Sequence, residues 1–312
     1  MRKVEIIENR SELGAGTRGS SLGIEALKIA AAKKENDFFL THNYTSIFTE
    51  NNLLNYPVKH PEAKRIEGIA KIYDRICTMV KGSIEDGNFP LVISGDHSSA
   101  GGTIAGVKSA FPDKRLGVIW IDAHADLQTP FTSPSGNVHG MPLATATGED
   151  NTEMKSTDPS SEVLKLWNEM KDLGGISPKI NYSDLVFIAL RDFEEAEHSL
   201  IERNNVKVFK TGEVNSQGAK SIAEQSLDYL KDCDILYVSF DVDSMDSSIS
   251  MGTGTPVPGG LMPEQAIELL QSFASDPRLK CLEFTEVNPL LDEKNVMAET
   301  TFEILEAVDS KL

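Results

Sequence analysis

Short apolar runs alternate along the chain with longer segments of helical periodicity. The runs are rich in β-branched and aromatic residues, which is typical of strands. The predicted strands are VEIIE (4–8), PLVISGD (90–96), LGVIWIDAH (116–124), DLVFIAL (184–190), VKVF (206–209), ILYVSFDVD (235–243) and LKCLEFTEV (279–287). The predicted helices are residues 62–84, 99–110, 219–231, 263–274 and 293–308.

This alternation predicts an α/β fold. The strands are apolar almost throughout, which is typical of a mainly parallel sheet covered by helices on both faces. The chain has 312 residues, 40% of them hydrophobic, and we expect one domain over residues 1–312. The polar stretch 148–161 is interpreted as a surface loop within that domain. In open parallel sheets, ligands bind outside the carboxyl ends of the strands.

The charge limits the classes of partner. A formal net charge of −18 argues against nucleic acid, because binding to phosphates needs clustered Lys and Arg. The first ten residues are highly charged and no run of about 18 apolar residues occurs, so we expect neither a signal peptide nor a membrane span. We therefore expect a cytoplasmic protein. Cys77, Cys233 and Cys281 are far apart in apolar surroundings and are interpreted as reduced core thiols.

Acidic residues and histidines follow four of the predicted strands. Asp122, His124 and Asp126 are spaced at i, i+2 and i+4, so an extended chain would turn all three to one face. Asp241 and Asp243 repeat this two-residue step. His97 follows another strand and completes a set of two imidazoles and four carboxylates. Carboxylates this close would repel one another unless cations neutralised them.

Four negative charges match two divalent ions. Oxygen-rich ligands with a minority of imidazole and no thiolate favour Mn²⁺ over structural Zn²⁺, although the ligands alone leave Co²⁺, Fe²⁺ and Ni²⁺ open. Two such ions lower the pKa of a bridging water and make hydroxide available, so hydrolysis is the expected reaction. His139 follows the ligand segment and is a candidate for proton transfer to a leaving amine. An ordinary loop histidine or a seventh ligand is the alternative.

Six segments together resemble the ureohydrolase family, and within it the arginases. They are SGDHS (94–98), DAHADLQTP (122–130), SGNVHGMP (135–142), SFDVDSMD (239–246), GTGTPVPGGL (252–261) and EVNP (286–289). The resemblance spans nearly the whole chain. It implies a single α/β domain, two manganese ions per subunit, and hydrolysis of a guanidino group to urea and an amine. It also implies a homo-oligomer, commonly a trimer or hexamer in this family.

The resemblance assigns roles to individual residues. The implied metal ligands are His97, Asp122, His124, Asp126, Asp241 and Asp243. The implied catalytic residues are His139, which transfers protons, Glu286, which receives the guanidinium, and Asp126. A planar cation with forked donors suits a bidentate carboxylate such as Glu286. The implied substrate-binding residues are Gln128, Ser135, Asn137, Glu194, Glu197, Thr255 and Glu286.

The Ser-Gly-Asn of residues 135–137 distinguishes between substrates. In arginase-like chains this segment receives an α-carboxylate, and Ser135 and Asn137 can donate hydrogen bonds to one, so L-arginine is favoured. Gln128 and Glu194 depart from the family pattern, since arginases typically have Asn and Asp there. The alternatives are agmatine, guanidinobutyrate or formimidoylglutamate as the substrate. A catalytically silent relative is disfavoured because every ligand position is filled.

Overall fold

Eight strands form one parallel sheet in the computed structural model, which describes residues 2–312. The strand order is β2-β1-β3-β8-β7-β4-β5-β6. Every neighbouring pair is parallel. The strands are β1 (Val4–Asn9), β2 (Asn43–Ser46), β3 (Phe89–Ser94), β4 (Leu116–Ile121), β5 (Leu185–Ile188), β6 (Lys207–Phe209), β7 (Ile235–Asp241) and β8 (Leu279–Thr285). The predicted α/β fold with a parallel sheet is confirmed.

All seven predicted strands are present, and β2 is the strand that the sequence pattern missed. Its residues, NYTS, are mostly exposed at the edge of the sheet. An edge strand is held by backbone hydrogen bonds to one neighbour and needs no alternating apolar face. No hydrophobic period therefore identifies it.

Helices connect the strands. They are α1 (Gly23–Lys33), α2 (Phe38–Thr41), α3 (Ile66–Glu85), α4 (Ala100–Ala110), α5 (Pro142–Thr147), α6 (Ser161–Lys171), α7 (Glu195–Arg203), α8 (Thr211–Gln217), α9 (Ala219–Tyr229), α10 (Pro263–Ala274) and α11 (Val296–Asp309). The five predicted helices are all found. The start of α3 was predicted four residues too early, because Arg65 has a left-handed backbone with φ 58° and stops the helix there. Residues 148–161 form a connection with one 3₁₀ turn, Thr152–Met154.

Both faces of the sheet are buried. On β4, Ile119 and Ile121 pack into the core beneath α10 and α11, while Val118 and Trp120 pack into the core beneath α3 and α4. Alternate residues of a strand point to opposite faces, so a strand covered twice must be apolar throughout. The three cysteines are buried and unpaired, as predicted.

The four central strands determine where the functional side chains lie. β3, β8, β7 and β4 are consecutive neighbours, and their carboxyl ends lie at one edge of the sheet. His97 follows β3, Glu286 follows β8, Asp241 ends β7 and Asp122 follows β4. The predicted convergence of polar residues at this edge is therefore confirmed. Within residues 2–312, no helix has both the length and the apolar character needed to cross a membrane.

Phe302 on α11 tests the packing of this outer helix. Its ring is fully buried against Phe38 and Phe39, so Phe302→Ala should lower the free energy of unfolding by about 3–5 kcal/mol through lost burial and the cavity left behind. Phe48→Ala is the matched control, because that ring is 86% exposed and its loss should cost less than about 0.5 kcal/mol. Urea unfolding followed by circular dichroism measures both. Equal losses would contradict this packing.

Candidate metal centre and active site

His97 is the centre of the first ligand cluster. Its Nδ1 lies 3.0 Å from Asp122 Oδ2, 3.0 Å from Asp126 Oδ2 and 3.1 Å from Asp241 Oδ2. All four side chains are nearly inaccessible to solvent. Three carboxylates from the ends of β4 and β7 thus surround one imidazole nitrogen from the end of β3.

A second cluster lies beside the first and shares Asp122 with it. His124 Nδ1 is 3.0 Å from Asp243 Oδ2 and 3.4 Å from Asp122 Oδ1. The two carboxylate oxygens of Asp122 therefore face different histidines. This arrangement provides two adjacent ligand sets, each with one imidazole, joined by a bridging carboxylate.

The backbone after β4 differs from the extended chain that we predicted. The strand ends at Ile121, residues 122–124 bend, and Asp126 has a left-handed φ of 50°. An Asp tolerates this conformation better than most residues. The three side chains converge because the chain turns around the site, so the prediction of one common strand face was wrong in its geometry.

The donor atoms fit divalent cations. His97 Nδ1 and Asp122 Oδ2 are buried, and neither has a hydrogen bond of acceptable geometry despite their close approach. Such unsatisfied buried atoms are rare unless an ion or water completes them. Imidazole nitrogen with carboxylate oxygen, and no thiolate, is a set that Mn²⁺ and similar ions accept.

The electrostatics of the cluster reflect its crowded charges. Burial raises the pKa of Asp241 well above the usual value, and the charges of Asp243 and Asp122 raise it further. Burial alone would lower the pKa of His97, but the close approach of three carboxylates to its Nδ1 outweighs burial and raises it. Positive charge inside the cluster would therefore stabilise the ionised carboxylates.

Glu286 and His139 lie together next to the first cluster. Glu286 Oε1 accepts a hydrogen bond from the backbone N–H of His97 at 2.9 Å and is 3.3 Å from His139 Nδ1. Burial would lower the pKa of His139, but the hydrogen bond with Glu286 raises it to about 8. Glu286 is 3% exposed, with a left-handed φ of 68° that aims its side chain back into the site.

A cavity of about 250 Å³ opens over these groups. All the predicted site residues line it except Asp122 and Glu286, which are buried and contact the lining residues His97 and His139 respectively. The predicted residues that line it are His97, His124, Asp126, Gln128, Ser135, Asn137, His139, Glu194, Glu197, Asp241, Asp243 and Thr255. The structure thus brings the predicted ligands and the predicted substrate-binding residues into one space.

The loop of residues 133–137 forms one wall of the cavity. Gly136 has φ 69°, and a Cβ there would lie 1.8 Å from the carbonyl oxygen of Pro61, so only glycine fits. The hydroxyl groups of Ser133 and Ser135 accept hydrogen bonds from the backbone N–H groups of Gly136 and Asn137. The loop is therefore fixed by its own side chains.

The remaining predicted residues take up distinct positions. Glu197 accepts hydrogen bonds from the backbone N–H of Leu127 and of Glu194, which occupies both of its carboxylate oxygens. Burial raises the pKa of Glu197 to about 7. Thr255 donates a hydrogen bond to Asp243 Oδ2 at 3.0 Å. Glu194 immediately precedes α7 and is exposed at the cavity rim.

Comparisons with known proteins agree with this geometry. A sequence model of the Arginase family matches residues 4–308. The chain is 32% identical to the arginase of Bacillus subtilis (strain 168) over 99% of this chain and 98% of that protein. The chain belongs to the arginase family.

Two solved structures of this family share its fold. The native arginase of Bacillus caldovelox has a TM-score of 0.82 and 32% identity, covering 99% of this chain and 98% of that one. The arginase of Entamoeba histolytica in complex with L-ornithine has a TM-score of 0.85 and 25% identity, with 99% and 98% covered. The arginase-family fold is therefore shared over the full length of the chain.

Sequence reasoning missed two polar residues that contact the histidines of this arginase-family site. Ser239 Oγ is 2.8 Å from His97 Nε2, and Asp192 Oδ2 is 3.7 Å from His124 Nε2. A partner on the second ring nitrogen fixes which nitrogen faces a metal. Ser239 could have been found, since it precedes Asp241 by two residues and so shares its face of β7.

The shared carboxylate predicts how substitutions affect metal binding. Asp122→Asn should weaken both metal sites, whereas His124→Asn should weaken one, each by at least roughly tenfold, because even substitutions beyond the direct ligands cost that much. Metal analysis after dialysis against limiting Mn²⁺ measures the stoichiometry. His198→Asn is the control, because His198 is exposed on α7 away from the cluster. Parental stoichiometry in Asp122→Asn would refute the shared-ligand arrangement.

Proposed function

We propose that this protein hydrolyses the guanidino group of L-arginine to urea and L-ornithine. The observation that carries the proposal is the position of Glu286, a buried carboxylate beside His139 and adjoining two ligand sets that share Asp122. Membership of the arginase family supports the same reaction class. The proposed metal ligands are the six residues predicted from the sequence.

Two divalent ions bound by these ligands would lower the pKa of a water molecule and so supply hydroxide near neutral pH. We propose manganese for both ions, because carboxylates outnumber imidazoles among the donors and no cysteine is present there. The buried carboxylates also leave the interior of the cluster with a negative charge that such ions neutralise.

Glu286 and His139 act on the two ends of the reacting group. Glu286 receives the guanidinium, which it can bind with paired hydrogen bonds. His139 adjoins that carboxylate and gives its proton to the leaving amine. Their mutual contact supports this pairing of acceptor and acid. Asp126 is proposed to take part in this chemistry as well as in metal binding.

Gln128 supports recognition of a carboxylate at the far end of the substrate. Its Oε1 accepts a hydrogen bond from the hydroxyl group of Thr132 at 3.1 Å. Its side-chain NH₂ has no hydrogen bond to any part of residues 2–312, although Gln128 is only 6% exposed and lines the cavity. A nearly buried donor without a partner suits an anionic oxygen. Ser135, Asn137, Glu194, Glu197 and Thr255 are proposed to complete the substrate site.

The alternative substrates are agmatine, guanidinobutyrate and formimidoylglutamate. Agmatine has no carboxylate, so it would not form the hydrogen bond with the Gln128 donor, and a hydrogen bond to a charged group is worth about 1.5–3 kcal/mol. Guanidinobutyrate and formimidoylglutamate carry carboxylates, but the positions of these carboxylates along the molecule differ from that in L-arginine. L-Arginine is therefore the first substrate to test.

Urea release from Mn²⁺-loaded protein distinguishes these substrates. We expect turnover of L-arginine with kcat/KM at least roughly tenfold above that for agmatine, since a lost hydrogen bond to a charged carboxylate costs about 1.5–3 kcal/mol. Colorimetric urea determination with each compound at matched concentrations measures the ratio. Faster turnover of agmatine would overturn the assignment of L-arginine.

Glu286→Gln tests the guanidinium-binding role. The amide keeps the size of the side chain but loses the charge and one acceptor, so KM should rise and kcat should fall, with kcat/KM lowered on the order of 100-fold. Glu293→Gln, an exposed substitution in the loop before α11, is the control and should match the parent. Metal content measured in parallel should stay at two ions per subunit. Parental kinetics in Glu286→Gln would disprove this role.

Three further properties belong to this proposal. We propose that residues 1–312 act as one domain, that the protein assembles as a homo-oligomer, a trimer or a hexamer, and that it is cytoplasmic. The family resemblance supports the assembly, and the strongly acidic composition supports small molecules over nucleic acid as substrates. Sedimentation equilibrium of the purified protein measures the number of subunits.

A further inference from the structure

Lys64 contacts the substrate-binding wall from outside the cavity. Its ammonium donates a hydrogen bond to Asn137 Oδ1 at 3.0 Å. No salt bridge to Lys64 occurs within residues 2–312. The charged group of this lysine therefore contacts a neutral amide that lines the cavity.

The contact determines the orientation of that amide. An ammonium has donors only, so it must face the oxygen of Asn137 and not its NH₂ group. Asn137 Nδ2 then has no hydrogen bond within the described residues. It lies beside Gly16, where a Cβ would approach it to 2.8 Å, so glycine leaves space next to this donor.

The backbone keeps Lys64 in place. Its N–H donates to the carbonyl oxygen of Gly136 at 2.8 Å, and the neighbouring Pro61 packs against the same glycine. The segment before α3 and the loop carrying Asn137 are thus joined by both a main-chain and a side-chain hydrogen bond. The backbone of Lys64 is therefore anchored next to the amide that its side chain contacts.

The charge of the cavity explains why such a cation matters. No lysine or arginine lines the cavity within residues 2–312, whereas six carboxylates do: Asp126, Asp192, Glu194, Glu197, Asp241 and Asp243. A substrate carboxylate entering this space meets many like charges. Lys64 and Thr132 each occupy an amide oxygen, of Asn137 and Gln128 respectively, and leave two NH₂ groups for the incoming anion.

We infer that Lys64 is a positioning residue that makes the site specific for guanidino acids with a free carboxylate, by orienting Asn137 and adding positive charge behind it. This inference rests on the proposed function, because it concerns the same cavity. It concerns the carboxylate end of the substrate, so it can fail while the guanidino chemistry stands.

Kinetics with paired substrates test the inference. L-Arginine carries a carboxylate and L-argininamide carries a neutral amide in its place. In Lys64→Met, the ratio of kcat/KM for L-arginine to that for L-argininamide should fall about tenfold, mainly through KM for L-arginine. Lys64→Arg should restore most of the ratio, because it keeps the charge. Lys165→Met, on the exposed face of α6, should keep the parental ratio.

Binding measured without turnover separates this inference from the proposed function. Calorimetric titration of Mn²⁺-loaded protein with L-ornithine and with L-ornithinamide should show a preference for L-ornithine that Lys64→Met loses. If the parent releases no urea from L-arginine, yet prefers L-ornithine and loses that preference in Lys64→Met, the proposed function fails and only the role of Lys64 in carboxylate binding stands. If the parent has no preference, or if Lys64→Met retains it, the inference is wrong.

Discussion

The main physical constraint on this structure is the free-energy cost of burying four carboxylates at one edge of a parallel sheet. Asp122, Asp126, Asp241 and Asp243 are almost inaccessible to solvent and surround two histidines. Desolvated carboxylates at this spacing repel one another, so cations bound among them stabilise the folded state. The sheet creates this situation because its four central strands end side by side. The suitability of this edge for metal ions thus follows from the topology.

The residues around the metal ligands hold them in place without being ligands themselves. Trp120 stacks on the imidazole of His97 with ring centroids 4.1 Å apart and planes 7° apart. Ser239 occupies the second nitrogen of that imidazole, so the ring can neither tilt nor rotate freely. Deeper in the sheet, Glu283 accepts hydrogen bonds from Ser94 and Tyr237. These contacts fix the geometry before any ion binds, which is how preorganised sites reduce the cost of binding.

The cavity has two chemically different ends. The buried metal-ligand carboxylates suit metal ions and a guanidinium, while Gln128 and Asn137 in the wall present neutral amide donors that suit an anion. An amino acid with a guanidino group carries a cation at one end and a carboxylate near the other, so it matches both. Lys64 lies outside the cavity, and its ammonium donates a hydrogen bond to Asn137 in the cavity wall. Under the proposed function, the guanidino group would therefore bind near the metal ligands and the carboxylate near Gln128 and Asn137.

The sequence by itself determined the sheet, its parallel strands and the identity of the cluster, because apolar strands followed by acids and histidines are local patterns. It missed β2, which has no apolar face, and it predicted an extended chain at Asp126, where the backbone has a positive φ. Only the tertiary structure showed that Asp122 faces both histidines and that Lys64 reaches Asn137. Those contacts join residues far apart in the chain. Their distances depend on strand order and loop packing, which no local pattern encodes.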